Sequence, residues 1–353
     1  MKKIFFSALM CFSLSAFSQT NTDSEPEFVR TINFDGFIKT RFETTTNLES
    51  NLMRFNVRHA RVGVRGDITP YLSLRMMVET VPQLVIHDMF ATIRPTDNLS
   101  ILFGQQLIPF DNAYIISPAD QMFANVTFVG THFTPGVRDM GVGAQYRFRI
   151  GDLPMEGQAG LFNGGVINNP QWSDNPSFAF RMIAGSMDRI RVTTKMYRFA
   201  GNEPDFVLPG LPISQQRLIL WGADFRYTNS RLTVETEIMY RHSQTYDTDL
   251  WGTYIQGLYT IPLSNAKVFQ FFTPAFRWDA MGYDGNFDVN RITAGLQFGL
   301  TQGLPFHSLI RIDYEHFLYR NNAIKATFPD ISARPDRLLF GENKFTIEWI
   351  VRF

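Results

Sequence analysis

The eleven residues NKFTIEWIVRF, Asn343–Phe353, decide the fold. Phe345, Ile347, Trp349, Val351 and Phe353 share one parity, while Lys344, Thr346, Glu348 and Arg352 share the other. Ile350 is the one apolar residue among the polar ones. A period of two puts alternate side chains on opposite faces of a strand. One face of this strand is apolar, the other charged, and the chain stops on its last aromatic residue. A closed barrel pairs its last strand with its first, so its chain can end once that strand is complete.

Working outward, the same period recurs along the chain. Ala60, Val62 and Val64 alternate with Arg61, Gly63 and Arg65. Leu72, Leu74, Met76 and Val78 alternate with Tyr71, Ser73, Arg75 and Glu79. Val142, Ala144, Tyr146 and Phe148 alternate with Gly143, Gln145, Arg147 and Arg149, and Ile292, Ala294, Leu296 and Phe298 with Thr293, Gly295, Gln297 and Gly299. No long 3.6-residue stripe competes. Roughly sixteen such segments can be counted, about 21 residues per strand plus connection, which suits strands of 9–11 residues crossing a bilayer at a tilt. Short polar turns such as Asp67–Pro70, Pro95–Asn98 and Gly151–Pro154 alternate with longer connections, including 44–53, 107–138, 163–177, 200–215, 242–250, 281–289 and 321–342. Short turns on one rim and long loops on the other are the layout of outer-membrane barrels. The fold class expected is all-β, a transmembrane antiparallel β-barrel.

Composition agrees. Phe is abundant at 34, with 12 Tyr and 5 Trp, and aromatics are enriched in strands and in the girdles of membrane barrels. MKKIFFSALMCFSLSAFS reads as a secretory signal peptide, residues 1–18, carrying the only cysteine, Cys11. Residues 19–30 read as a flexible arm, and 31–353 as one barrel domain with a long inserted loop, 107–139. The formal net charge is zero and no basic run occurs, so a nucleic-acid partner is not expected. No HExxH, Cys/His cluster or GxSxG elbow points to an enzyme, a metal or a cofactor. His242–Ser243 and His307–Ser308 are sequence neighbours, so on a strand they face opposite ways and form no dyad. Glu235 and Glu237 share a face and suit pairing with arginine across the lumen.

If the apolar parity faces lipid, the polar parity lines the lumen. Pore-lining or anion-binding candidates are Lys39, Arg41, Arg61, Arg65, Arg75, Asp88, Arg94, Arg147, Arg149, Arg226, Arg277 and Arg311. Arginine and lysine rings favour anions in a pore, although such residues also pair with carboxylates merely to hold the wall together. Asp88 and Arg94 are expected to pair near the constriction. The insertion 107–139 is apolar for a solvated loop. It either folds into the barrel and narrows the pore or caps the barrel outside. Its candidates are Phe110, Asp111, Tyr114, Asp120, Arg138 and Asp139.

The stretches FNVRHARVGVRGDITPYLSLRMMVE (55–79), IHDMFATIRPTDNLSILFGQQLIPF (86–110) and RDMGVGAQYRF (138–148) resemble the phosphate-selective porin O and P family of Bacteroidetes-type bacteria. Phe162-Asn163-Gly164 at a strand end is similar too, and Phe353 resembles the terminal signature read by the bacterial barrel-assembly machinery. The resemblance implies a sixteen-stranded, trimeric channel in the outer membrane, passing small hydrophilic solutes or anions. Here Asp224, Glu235, Glu237, Asp313 and Glu315 dilute the cations, which favours a general or weakly anion-preferring pore over a phosphate-selective one. The alternative function is a non-conducting barrel that serves as scaffold or partner of an export or adhesion assembly.

Overall fold

The computed structural model describes residues 28–46, 51–134, 136–165, 167–170, 172, 175–201, 216–245, 247–264, 267–283, 285–301, 307–320 and 342–353. The expected signal peptide and residues 19–27 of the arm lie outside them. The elements are β1 (Thr31–Thr45), β2 (Met53–Thr69), β3 (Leu72–Glu79), β4 (Val85–Thr96), β5 (Leu99–Leu107), α1 (Asn112–Ile115), α2 (Phe128–His132), β6 (Arg138–Ile150), β7 (Leu153–Phe162), β8 (Ser177–Gly185), β9 (Ile190–Gly201), β10 (Gln216–Thr228), β11 (Leu232–Ser243), β12 (Thr248–Tyr259), β13 (Ile261–Pro262), β14 (Phe271–Tyr283), β15 (Val289–Thr301), β16 (His307–Tyr319) and β17 (Lys344–Arg352). Apart from β13, a two-residue extension beside β14, these are the sixteen long strands of one closed sheet. Every pairing is antiparallel between chain neighbours, and β17 closes on β1 from Phe37↔Arg352 to Thr45↔Lys344.

The seam continues to the last residue. Gly36 and Phe353 exchange two backbone hydrogen bonds, of 2.9 and 3.0 Å. A Cβ at position 36 would lie 2.5 Å from the Arg61 carbonyl oxygen and 2.7 Å from the Phe353 ring, so glycine fits this point of the seam. Along β17 the alternation is as read: Lys344, Thr346, Glu348 and Ile350 are buried inside, while Ile347 and Trp349 are exposed outside. The apolar exception Ile350 packs inward with Phe37, Leu309 and Ala119, the last belonging to the inserted loop.

The outer wall is apolar and carries aromatic clusters, including Trp221, Tyr240 and Trp251 with ring centres 4.8–5.7 Å apart. No helix among the described residues is long and apolar enough to cross a membrane; the strands provide the apolar surface that a bilayer would cover. Two connections are shorter than expected because their strands run on. β11 ends at Ser243 and β12 begins at Thr248, and β14 reaches Tyr283 before β15 starts at Val289.

Candidate pore and constriction

The insertion between β5 and β6 enters the barrel, so the external-cap alternative does not hold. Backbone inside a lumen has no strand to pair with, and its polar groups need other partners. Here wall side chains supply them one after another. Lys39 Nζ donates to the Pro118 carbonyl at 3.0 Å, Gln297 to Met122 at 2.6 Å, Arg277 to Asn125 at 2.8 Å and Arg291 to Val126 at 2.7 Å. Arg311 and Arg41 donate to the carbonyls of Gln121 and Ala124. Carboxylates take the amides: Asp313 accepts from Ala124 N at 2.6 Å and Asp279 from Phe128 N at 2.8 Å. The Asn125 side chain accepts from Arg41 and donates to Glu315. The loop thus lies against the wall from β14 through β17 to β1.

These cations also neutralise one another's carboxylates. Glu348, fully buried, receives Lys39 at 3.2 Å, Arg311 at 2.9 Å and Arg41. Arg291 bridges Asp279 and Glu315, both at 2.6 Å. Lys39, Arg41, Arg277 and Arg311 were expected on a water-filled wall. They are instead 0–5 % exposed, beneath the loop.

The rest of the insertion is held by apolar contact. Phe110, Phe128, Val129 and Phe133 are fully buried with Tyr197, Leu218, Leu220, Met239 and Met281, which point inward from β9, β10, β11 and β14. The rule that apolar parity faces lipid fails there, because both parities are apolar, as in Leu218-Ile219-Leu220-Trp221. Each fully buried side chain contributes about 1.5–3 kcal/mol. Asp111 caps α1 by accepting from Ala113 N at 2.9 Å and takes the Thr134 hydroxyl at 2.9 Å. Burial pushes its carboxyl above the ordinary range. Asn112 joins the loop to Arg181, Arg191, Glu235 and Tyr254.

Open space remains on the other side of the barrel. A cavity of about 290 Å³ is lined by Arg65, Arg75, Asp88, Phe90, Leu102, Gln145 and other residues. A second, of about 950 Å³, is lined by Arg147, Arg149, Arg181, Arg191, Arg226, Glu156 and Asp120 among others. Both touch Ile115 and Gln158, so they adjoin along one path between the loop edge and the wall of β2–β10. Seven arginines line it, two in the first cavity and five in the second, against Asp88, Asp120 and Glu156. Several are paired: Arg75 with Asp35, Arg147 with Glu156 at 3.0 Å, Arg191 with Asp224 at 2.7 Å and Arg226 with Glu235 at 2.6 Å. Among the described residues Arg65, Arg149 and Arg181 form no ion pair. Arg149 reaches only the Asp152 carbonyl, and Arg181 only the Asn112 side chain.

The other candidates fall into place around this path. Arg61 is buried and bonded to Glu79, which His59 also contacts. Asp88 is held by Arg138 Nε at 2.7 Å, not by Arg94, which correct register places further down β4 beside the short-turn rim. Asp120 pairs with Arg352. Asp139 accepts from Gly164 N and Gly165 N, tying down the β7–β8 connection, and Gln105 holds Asn168 of the same connection in a left-handed turn, φ 61°. Tyr114 lies in α1 at the loop edge, part-buried. Glu237 pairs with Lys195. Sequence reasoning missed Arg191 and Arg291, although parity with Lys195 and Thr293 marks both as inward; it also missed Phe90, an inward aromatic opposite Gly104. His242 and Tyr240 reach Asp249 at the rim on the face opposite Ser243, so no Ser-His dyad forms.

No protein-family model and no curated protein matches the sequence. Solved structures do match in fold. Salmonella typhi OmpF in complex with daunomycin aligns over 91% of this chain and 97% of its own, with TM-score 0.64 and 13% identity. An anion-selective porin from Comamonas acidovorans aligns over 92% and 99%, with TM-score 0.60 and 9% identity. Vibrio cholerae OmpT, described in a trimer form, covers 92% and 100%, with TM-score 0.57 and 12% identity. This chain has the sixteen-stranded porin fold.

Proposed function

We propose that the chain is a porin of a Gram-negative outer membrane, passing small hydrophilic solutes by diffusion with a preference for anions. The observation that carries the reading is the path beside the loop, where arginines outnumber carboxylates in the lining and Arg65, Arg149 and Arg181 form no ion pair among the described residues. A closed barrel with an apolar outer wall supports the membrane location. Cations lining a narrow path raise anion occupancy. Phe353 on the closing strand suits recognition by the barrel-assembly machinery, and the trimer form of a structurally similar protein supports a homotrimer. The resemblance of 55–79, 86–110 and 138–148 to phosphate-selective porins offers phosphate as one candidate anion.

The test is single-channel recording of the folded mature chain in a planar bilayer under a KCl gradient. Stepwise conductance with an anion-sided reversal potential is expected. Steps without selectivity would leave a general porin. Complete absence of steps would favour the second reading, a non-conducting scaffold barrel. The apolar cluster inside the barrel, with residues from β7 to β16, supports that reading.

A further inference from the structure

We propose that the 290 Å³ cavity is a binding site for a small carboxylate with an apolar body, such as an aromatic or branched aliphatic acid; the inference rests on the porin reading and names the solute class. Arg65 and Arg75 are directly opposite each other on β2 and β3, both facing the lumen. Like charges across adjacent strands repel unless an anion lies between them. The wall supplies one carboxylate for the two: Asp35 takes both terminal nitrogens of Arg75. Asp88 also lines the cavity, but its carboxylate already accepts from Arg138. Arg65 is therefore exposed to the cavity with no partner of its own. A guanidinium in this state binds a planar carboxylate by two parallel hydrogen bonds.

Part of the lining beside these arginines is apolar. Phe90, Leu102, Pro109 and Ile115 face the cavity, the first two from inward positions on β4 and β5 and the others from the inserted loop. A hydrated inorganic ion gains nothing from such a surface, whereas a ring or branched chain would be desolvated against it. The volume lies just below the range for drug-sized ligand pockets, which suits a small acid. A cation with an apolar strip beside it in one cavity thus selects an anion with both characters.

The experiment measures block of the chloride current by sodium benzoate, sodium acetate and inorganic phosphate in the wild-type channel and in R65Q and I115S. Benzoate should block at a concentration at least about tenfold below acetate, as expected from burying several ring carbons. R65Q should weaken block by both carboxylates, while I115S should weaken benzoate block several-fold and leave acetate block unchanged. Arg65 is exposed and unpaired and Ile115 sits at the loop edge, so neither change removes a fold contact of the seam; heat-modifiable migration on SDS gels confirms folding. Phosphate blocking as well as benzoate, equal block by benzoate and acetate, or an unaltered R65Q would each overturn the site while leaving the porin reading intact. If the wild-type channel shows no steps in KCl, the porin reading falls and the site falls with it.

Discussion

Arg291 joins the wall to the loop, bridging two carboxylates, donating to the Val126 carbonyl and lying 4.5 Å over the Phe128 ring. Replacing it with alanine takes the closest cation from Asp279 and Glu315 in a buried site and leaves them sharing Arg277, with Lys344 beside Glu315. Breaking a buried pair costs up to about 3–5 kcal/mol where the charge is left uncompensated, and the remaining cations reduce that here. R291A should lower the urea midpoint of the refolded barrel correspondingly, and an unchanged midpoint would show that the bridge is not formed. Arg65 and Arg61 make a sharper contrast. They are four residues apart on one strand, but Arg61 is committed to Glu79 and Arg65 forms no ion pair among the described residues. R65Q combined with R149Q should move the reversal potential toward zero in a KCl gradient. R61Q should act mainly on stability, because it leaves Glu79 buried without its main cation. The reverse pattern of selectivity would contradict the placement of the path.

At the scale of the element, the inserted loop is bound by two different forces. Its middle is tied by charged hydrogen bonds to the β14–β17 and β1 wall, and its ends by apolar packing under β9–β12. Packing alone should be enough to keep it seated when one hydrogen bond is removed. Truncating Phe128 and Phe133 to alanine removes two fully buried rings, at about 3–5 kcal/mol each. The double variant should open the lumen and raise single-channel conductance, whereas N125A should raise it little. Equal conductance in wild type and the double variant would place the limiting cross-section elsewhere along the path.

At the scale of the whole molecule, closure makes the last strand matter most. β17 joins the seam through backbone pairing, through Glu348 with its three cations and through Phe353 over Gly36. F353A should reduce the yield of heat-resistant, fast-migrating barrel assembled in vivo while leaving the refolded protein conductive. Wild-type yield in cells would remove Phe353 from an assembly role.

The strand period, the closing β17 and the long insertion were all legible in the sequence, because a half-apolar strand wall imposes a strict alternation on every residue in it. That physics is local, and eleven residues such as Asn343–Phe353 display it complete. The site was legible only in part. Parity placed Lys39, Arg41, Arg277 and Arg311 inside the barrel, but parity cannot say whether water or another segment lies over an inward side chain. The tertiary path of the loop decided that, burying one half of the lumen and leaving the arginines of β2, β3, β6, β8, β9 and β10 beside open space. Ile350 shows the limit in one residue: an exception within its strand, it is explained only when Ala119, more than two hundred positions earlier, is found packed against it. Alternation determined which way each residue points; only the folded loop decided what it meets there.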